Sequence, residues 1–177
     1  MDDLTHAKLI HERDSYALDL LVERHHSPLF RFLLQLTRNQ HDAEDLTQQA
    51  LLRAITGANR FDGRASLRAW LLGIAFHEFT RHRRKRAWLP LLKELAVSSK
   101  EFNNIDESEA LRAALLKLKP ESRAVFLMHH IEELSVSEIA TSLQIPEGTV
   151  KSRLFTARTQ LKSYLEKGES NYVPETC

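Results

Sequence analysis

The densest set of residues able to recognise something lies in PEGTVKSRLFTARTQLKSYL, Pro146 to Leu165. At 100° per residue, Val150, Leu154, Ala157 and Leu161 fall on one side of a helix. Thr149, Ser152, Phe155, Thr156 and Thr159 fall on the other, flanked by Lys151, Arg153 and Arg158. Hydroxyls, one aromatic ring and cations are the groups that meet base edges, thymine methyls and phosphates. The chemistry is recognition rather than bond breaking.

A helix must be held by another to present such a face. Just upstream, Ser135 and Glu138 have the spacing of a reciprocal capping box, and Ile139, Ala140 and Leu143 give the short helix they open one apolar side. Gln144 and Ile145 form a turn, and Pro146 suits the first position of the next helix, where no amide is needed. This is a helix-turn-helix, which lays its second helix in the major groove. A helical hairpin with a merely solvated outer face has the same spacing, and Phe155 among cations favours DNA.

Three further patches lie upstream. In DAEDLTQQALLRA (Asp42 to Ala54), Ala43, Leu46, Ala50 and Ala54 can pack inward, leaving Asp45, Gln48, Gln49 and Leu52 as an outer stripe. A leucine ringed by polar groups suits a partner helix, although an ordinary solvated face reads the same way. The loop NRFDGRA combines Gly63, which permits close backbone approach, with Arg60 and Arg64 for phosphates and Asn59 or Asp62 for a base. Asp-Gly is also an ordinary turn. From Leu67 to Arg84, a stripe of Trp70, Gly73, His77, Arg81 and Arg84 could stack unpaired bases and follow a backbone, or Trp70 could be core.

The remaining chain is organised to carry these patches. Scarce glycine and proline with helical apolar spacing predict an all-α protein. Tyr16 to Val22 begins one helix, Pro28 starts a second through Leu36, and Asp42 caps a third to about Ala58. A fourth starts near Ser66, and helices at Leu111 to Leu118 and Val125 to Ile131 precede the helix-turn-helix. Aperiodic residues after about Ala87, including Pro90, Ser98, Ser99, Asn103 and Asn104, read as a flexible linker. The expected division is 1–88, a linker at 89–106, a second domain at 107–167 and a tail at 168–177.

Over 177 residues the net charge is only +1, so distribution matters more than total. Five of the six residues from Arg81 to Arg86 are Arg or Lys, against an acidic run at Asp106 to Glu109. The single cysteine, Cys177, cannot form an internal disulfide, which fits a reducing compartment. MDDLTHAKLI lacks the basic and apolar regions of a signal peptide, and no apolar run reaches membrane-spanning length. The expectation is a cytoplasmic protein with no membrane contact of its own.

The order DAEDLTQQ, FDGRASLRAWLLGIA, a basic helix end, a linker, LKPESRAVF and LSVSEIA…IPEGTVKSRLFTAR resembles the bacterial extracytoplasmic-function (group IV, sigma-70 family) sigma factors, from about Ala17 to Leu165. The resemblance implies a sigma-2 domain at 1–88 and a sigma-4 domain at 107–167. It implies docking on the β′ clamp helices of core RNA polymerase through Asp42, Asp45, Gln48, Gln49 and Leu52. It implies minus-ten recognition through Asn59, Arg60, Phe61, Asp62, Gly63, Arg64, Trp70, His77, Arg81 and Arg84. Minus-thirty-five recognition would fall to Thr149, Lys151, Ser152, Arg153, Phe155, Thr156 and Arg158, with the β flap tip held by sigma-4. Control by an anti-sigma factor is a further implication; no catalytic residue, metal or cofactor is implied.

The chain departs from the family pattern at four residues and in its tail. His77 and Arg81 stand where relatives often carry Asn and Asp, Thr156 where Arg is frequent, Lys119 interrupts the usual Leu-Pro, and the final GESNYVPETC matches nothing in the pattern. Two other function classes are weaker. A dimeric operator-binding regulator leaves the Leu52 stripe without purpose. An enzyme needs a nucleophile, phosphate-loop or HExxH motif that is absent here, and the adjacent pairs His25–His26 and His129–His130 project in different directions on a helix.

Overall fold

The computed structural model describes residues 2–88 and 109–169; the expected linker and most of the expected tail lie outside them. Asp2 accepts from the Thr5 amide at 2.9 Å and opens α1, Asp3–His11, an element without an apolar period strong enough to be predicted. Asp14 similarly caps α2, Ser15–Thr37, which ends on Arg38 in the left-handed conformation.

Pro28 does not divide α2 into two helices as expected. It removes one backbone hydrogen bond, at a cost of about 3 kcal/mol. Leu20 and Leu21 before it, and Leu29, Phe32, Leu33 and Leu36 after it, are all buried in the core. Each contributes ~1.5–3 kcal/mol of burial, so the continuous helix wins. Asp42 is likewise not the cap of α3, Gln40–Gly57. Extended Asn39 fills that role by accepting from the Asp42 amide at 2.9 Å, which leaves the Asp42 carboxylate free for an ion pair.

A 3-10 turn, Ala58–Arg60, and an irregular loop lead to α4, Leu67–Trp88. Helices α2, α3 and α4 pack on one another, and α1 braces the 3-10 turn. The second half comprises α5 (Glu109–Lys117), α6 (Pro120–His130), α7 (Val136–Leu143) and α8 (Glu147–Glu169), with α8 lying against the other three. Among the described residues no helix is long and apolar enough to cross a membrane.

The two halves are in contact. α7 packs on α4 and α6 on α2, and one apolar core runs from Leu33 and Leu72 through Val125 and Met128 to Ile139 and Val150. Buried Arg123 ties them together: it donates to the Leu116 and Leu118 carbonyls (2.9 and 3.0 Å) at the end of α5 and to the Gln35 carbonyl (2.8 Å) near the end of α2. Two negative helix ends thus stand in for a carboxylate. Burial, with a smaller push from Arg38, lowers its pKa to about 10, so it stays charged at neutral pH.

Candidate nucleic-acid and polymerase interfaces

The helix-turn-helix forms as its local signals require. Ser135 accepts from the Glu138 amide at 3.2 Å, and Glu138 Oε2 accepts from the Ser135 amide at 3.1 Å, completing the capping box. Gln144, with φ 55°, ends α7 in the left-handed conformation, and Ile145 returns its amide to the Ala140 carbonyl at 3.0 Å. The Pro146 carbonyl then accepts from Thr149 and Val150 at 2.9 and 3.2 Å.

Val150, Leu154, Ala157 and Leu161 are buried, so the opposite face of α8 turns outward. Lys151, Ser152, Phe155, Thr156 and Arg158 are exposed, whereas Thr149 and Arg153 are half-buried at its edges. Phe155 is 73% exposed, an apolar residue left in water that none of the described residues covers. Arg158 does not extend freely; its Nε lies 3.3 Å from His130 Nε2 on α6.

On α3, Asp45, Gln48, Gln49 and Leu52 share an outer face, with Leu52 62% exposed. Asp42 sits at the edge of this stripe, not on it. Its side chain is only 17% exposed and accepts from Arg86 at 2.6 Å, because the basic end of α4 passes directly beside it.

The loop between α3 and α4 is an aspartate-stabilised turn. Asp62 accepts from the Arg64 amide at 3.1 Å and from its guanidinium at 2.6 Å, and these hydrogen bonds hold its carboxyl below the usual aspartate range. Gly63 has φ 71°, a conformation natural to glycine. Asn59, Arg60, Asp62, Gly63 and Arg64 are exposed, but Phe61 is not. Its ring is buried against Trp70, centroids 5.5 Å apart, so it supports the loop from beneath and corrects the expectation of a surface contact.

Two members of the α4 stripe are also engaged inside the protein. Arg81 pairs with Glu78, a carboxylate 4% exposed that also holds Arg53. Buried Gly73 lies against the backbone of Ser142 on α7. Trp70 is half-buried, while His77 and Arg84 are exposed.

Residues without a motif complete the arrangement. Asp3 Oδ2 accepts from the Leu67 amide at 2.7 Å at the start of α4, and Leu4 packs under Gly63. Ser66 accepts from the Ala69 amide at 3.3 Å and gives its hydroxyl to Glu138 at 2.8 Å. Among the described residues no three His, Cys, Asp or Glu side chains gather as a metal site.

Residues 21–89 match the Sigma-70 region 2 family and residues 108–161 match Sigma-70 region 4, which together take in all three candidate faces. The chain is 34% identical over 155 residues to the ECF RNA polymerase sigma factor SigM of Mycobacterium tuberculosis, covering 86% of this chain and 79% of that one. This chain belongs to the extracytoplasmic-function sigma factors of the sigma-70 family.

SigE of Mycolicibacterium smegmatis, another sigma factor of this kind, is 31% identical over 166 residues; the match takes in 86% of this chain and 63% of SigE. Among solved structures, the sigma factor RpoE of Bartonella quintana, in complex with the anti-sigma factor NepR, aligns with TM-score 0.66 and 27% identity, over 83% of this chain and 93% of that one. In this sigma factor, region 2 carries the Leu52 stripe, the Asp62 turn and α4, and region 4 carries the helix-turn-helix. Helix α1 precedes both matched segments, yet it supplies the cap of α4 and the floor of the turn.

Proposed function

We propose that this sigma factor binds core RNA polymerase and directs it to promoters with two recognised elements, while the polymerase performs the chemistry. The exposed Phe155, set among Ser152, Thr156, Lys151 and Arg158 on the outer face of a capped helix-turn-helix, carries this reading. The face would meet minus-thirty-five bases and phosphates in the major groove, with Thr149 and Arg153 at its edges.

The exposed side of α3, Asp45, Gln48, Gln49 and Leu52, would dock on the clamp helices of the β′ subunit, with Asp42 acting through its hold on Arg86. Asn59, Arg60, Asp62, Gly63 and Arg64 would receive a flipped base of the minus-ten element above Phe61. Trp70, His77, Arg81 and Arg84 would continue the contact along α4. Flipping costs a few kcal/mol, which the surrounding contacts must offset. Region 4 would hold the β flap tip, and an anti-sigma factor, as RpoE has in NepR, would cover the polymerase-binding faces.

Footprinting of reconstituted holoenzyme on its own promoters tests this assignment. Protection at two separated elements is expected, with Phe155→Ala erasing the upstream one alone. Protection of a single palindromic duplex site by the free protein would overturn it.

A further inference from the structure

We propose that the cavity where the ends of α2 and α4 meet the starts of α3 and α6 binds a small phosphorylated molecule, its phosphoryl group held by Arg83, Arg86 and Arg123. The site stands apart from the promoter-binding faces and does not depend on their assignment.

The cavity measures about 450 Å³, within the range of small-molecule pockets, and draws its lining from both sigma regions. Leu36, Phe79 and Pro120 give it an apolar wall, and Arg38, Arg83, Arg86 and Arg123 supply guanidinium groups. Among the described residues only two side-chain polar atoms are buried without a hydrogen bond, His82 Nε2 and Arg123 Nε, and both residues line this cavity. Buried polar atoms are almost always paired, so two orphans beside one cavity point to a ligand that completes them. Arg123 Nε can only donate, and His82 Nε2 donates in one tautomer and when protonated, so the missing partner is an acceptor.

The charges around the cavity ask for the same thing. Asp42 accepts from Arg86 at 2.6 Å, with His82 3.6 Å away, and Glu121 at the rim accepts from Arg83 at 2.5 Å. Each carboxylate answers one guanidinium. Arg123, only 4% exposed, is left with carbonyls alone. After burial itself, the nearby Arg38, which has an interaction of its own, disfavours the Arg123 charge; an anion between them would offset that.

The chemistry favours a phosphoryl group over other anions. Arg83 and Arg86 reach their carboxylates through one nitrogen each, and the planar guanidinium fork carries five N–H groups, so both keep donors to give. Arg83 lies over the Phe79 ring at 5.8 Å, which holds its head against the apolar wall. Three forks from α4 and α6 match the three acceptor oxygens of a phosphomonoester, whereas a carboxylate offers two. Reaching buried Arg123 requires the anion to enter the cavity. A terminal phosphate can do so, while a backbone phosphodiester is flanked by sugars on both sides.

The test is calorimetric titration of the full-length protein, at one fixed ionic strength, with inorganic phosphate, adenosine monophosphate, adenosine and a short single-stranded oligonucleotide. Arg83→Gln combined with Arg86→Gln removes two forks at partly exposed positions. Lys85→Gln, an exposed neighbour in the same basic run that does not line the cavity, controls for charge. Thermal melts without ligand establish that each variant is folded.

Phosphate and adenosine monophosphate should bind the parent protein, the nucleotide more tightly, and adenosine should not. Affinity for both should fall about tenfold or more in the double variant and stay within about twofold in Lys85→Gln. Failure of both phosphates to bind the parent would overturn the site, and so would equal losses in the double variant and the control. Binding of the oligonucleotide alone would give these cations to a nucleic-acid backbone instead. Adenosine binding as well as its monophosphate would leave the guanidiniums without a part, and a nucleotide no tighter than phosphate would strike the apolar wall from the site.

Discussion

Glu138 accepts from Ser135 on α7 with one carboxylate oxygen and from Ser66, at the start of α4, with the other, so a single side chain caps a helix in each of the two sigma regions. Burial opposes its ionisation. Hydrogen bonds from Ser66 and Ser135 outweigh that and hold its carboxyl below the usual glutamate range.

Glu138→Ala should therefore cost more than an ordinary surface change, about 1–2 kcal/mol, the scale of losing a good helix cap. Chemical denaturation at neutral pH measures it. With the native folded pKa below the unfolded one, the contribution is present above about pH 4.5 and is lost as pH falls through the folded value. The alanine variant should lose that part of the acid dependence, and an unchanged acid profile would count against the shared cap.

His25 predicts a second pH effect of separate origin. Burial, then the neighbouring His6 and Arg68, lower its pKa to about 4, with Asp3 opposing and Arg24 adding a little. Between about pH 6.5 and 4 the unfolded chain binds the proton and the folded chain does not, so stability falls as pH falls through that window. His25→Gln should flatten the slope between pH 7 and 5 in denaturant titrations; an identical slope would show that the imidazole titrates normally in the fold.

Buried Glu78 is held by Arg53 and Arg81, which gives Arg81 a structural duty beside any contact with DNA. Arg81→Ala alone should be tolerated because Arg53 remains. The double variant Arg53→Ala with Arg81→Ala leaves a buried carboxylate uncompensated and should cost about 3–5 kcal/mol. Additive small losses in the denaturation midpoint would mean that Glu78 relaxes into solvent.

Two of the exposed apolar residues should separate two functions. Leu52 and Phe155 are each out of the core, so Leu52→Asp and Phe155→Ala should both leave stability within about 0.5 kcal/mol of the parent. Leu52→Asp should weaken core-polymerase binding at least tenfold and leave the upstream promoter footprint intact where binding is forced. Phe155→Ala should leave core binding unchanged and weaken the upstream element. Equal loss of both activities in either variant would show that the faces are misassigned.

The helix-turn-helix was legible in advance because its signals are local: a capping box, a turn, a proline and a four-residue apolar period all act within about twenty residues. The Leu52 stripe was legible for the same reason. What escaped were effects of distant partners. Asp42 reads as a cap, and by the family resemblance as a docking residue, until Asn39 takes the cap and Arg86, from another helix, takes the carboxylate. Phe61 reads as a loop contact until Trp70 is beneath it. Pro28 reads as a helix start because the leucines and Phe32 that keep α2 continuous act through tertiary burial. Helix α1 has little periodicity, and its worth lies in Asp3 and Leu4 meeting residues some sixty positions away. Gly73 carried no local signal of its closeness to Ser142.

The most direct test of the whole account is run-off transcription with purified core RNA polymerase and a promoter library, with the protein added or omitted. Specific transcripts should appear only when it is added, with start sites a fixed distance from two shared upstream elements, and should disappear with Leu52→Asp. Core binding that yields no promoter-specific transcript, or an absence of core binding, would contradict it.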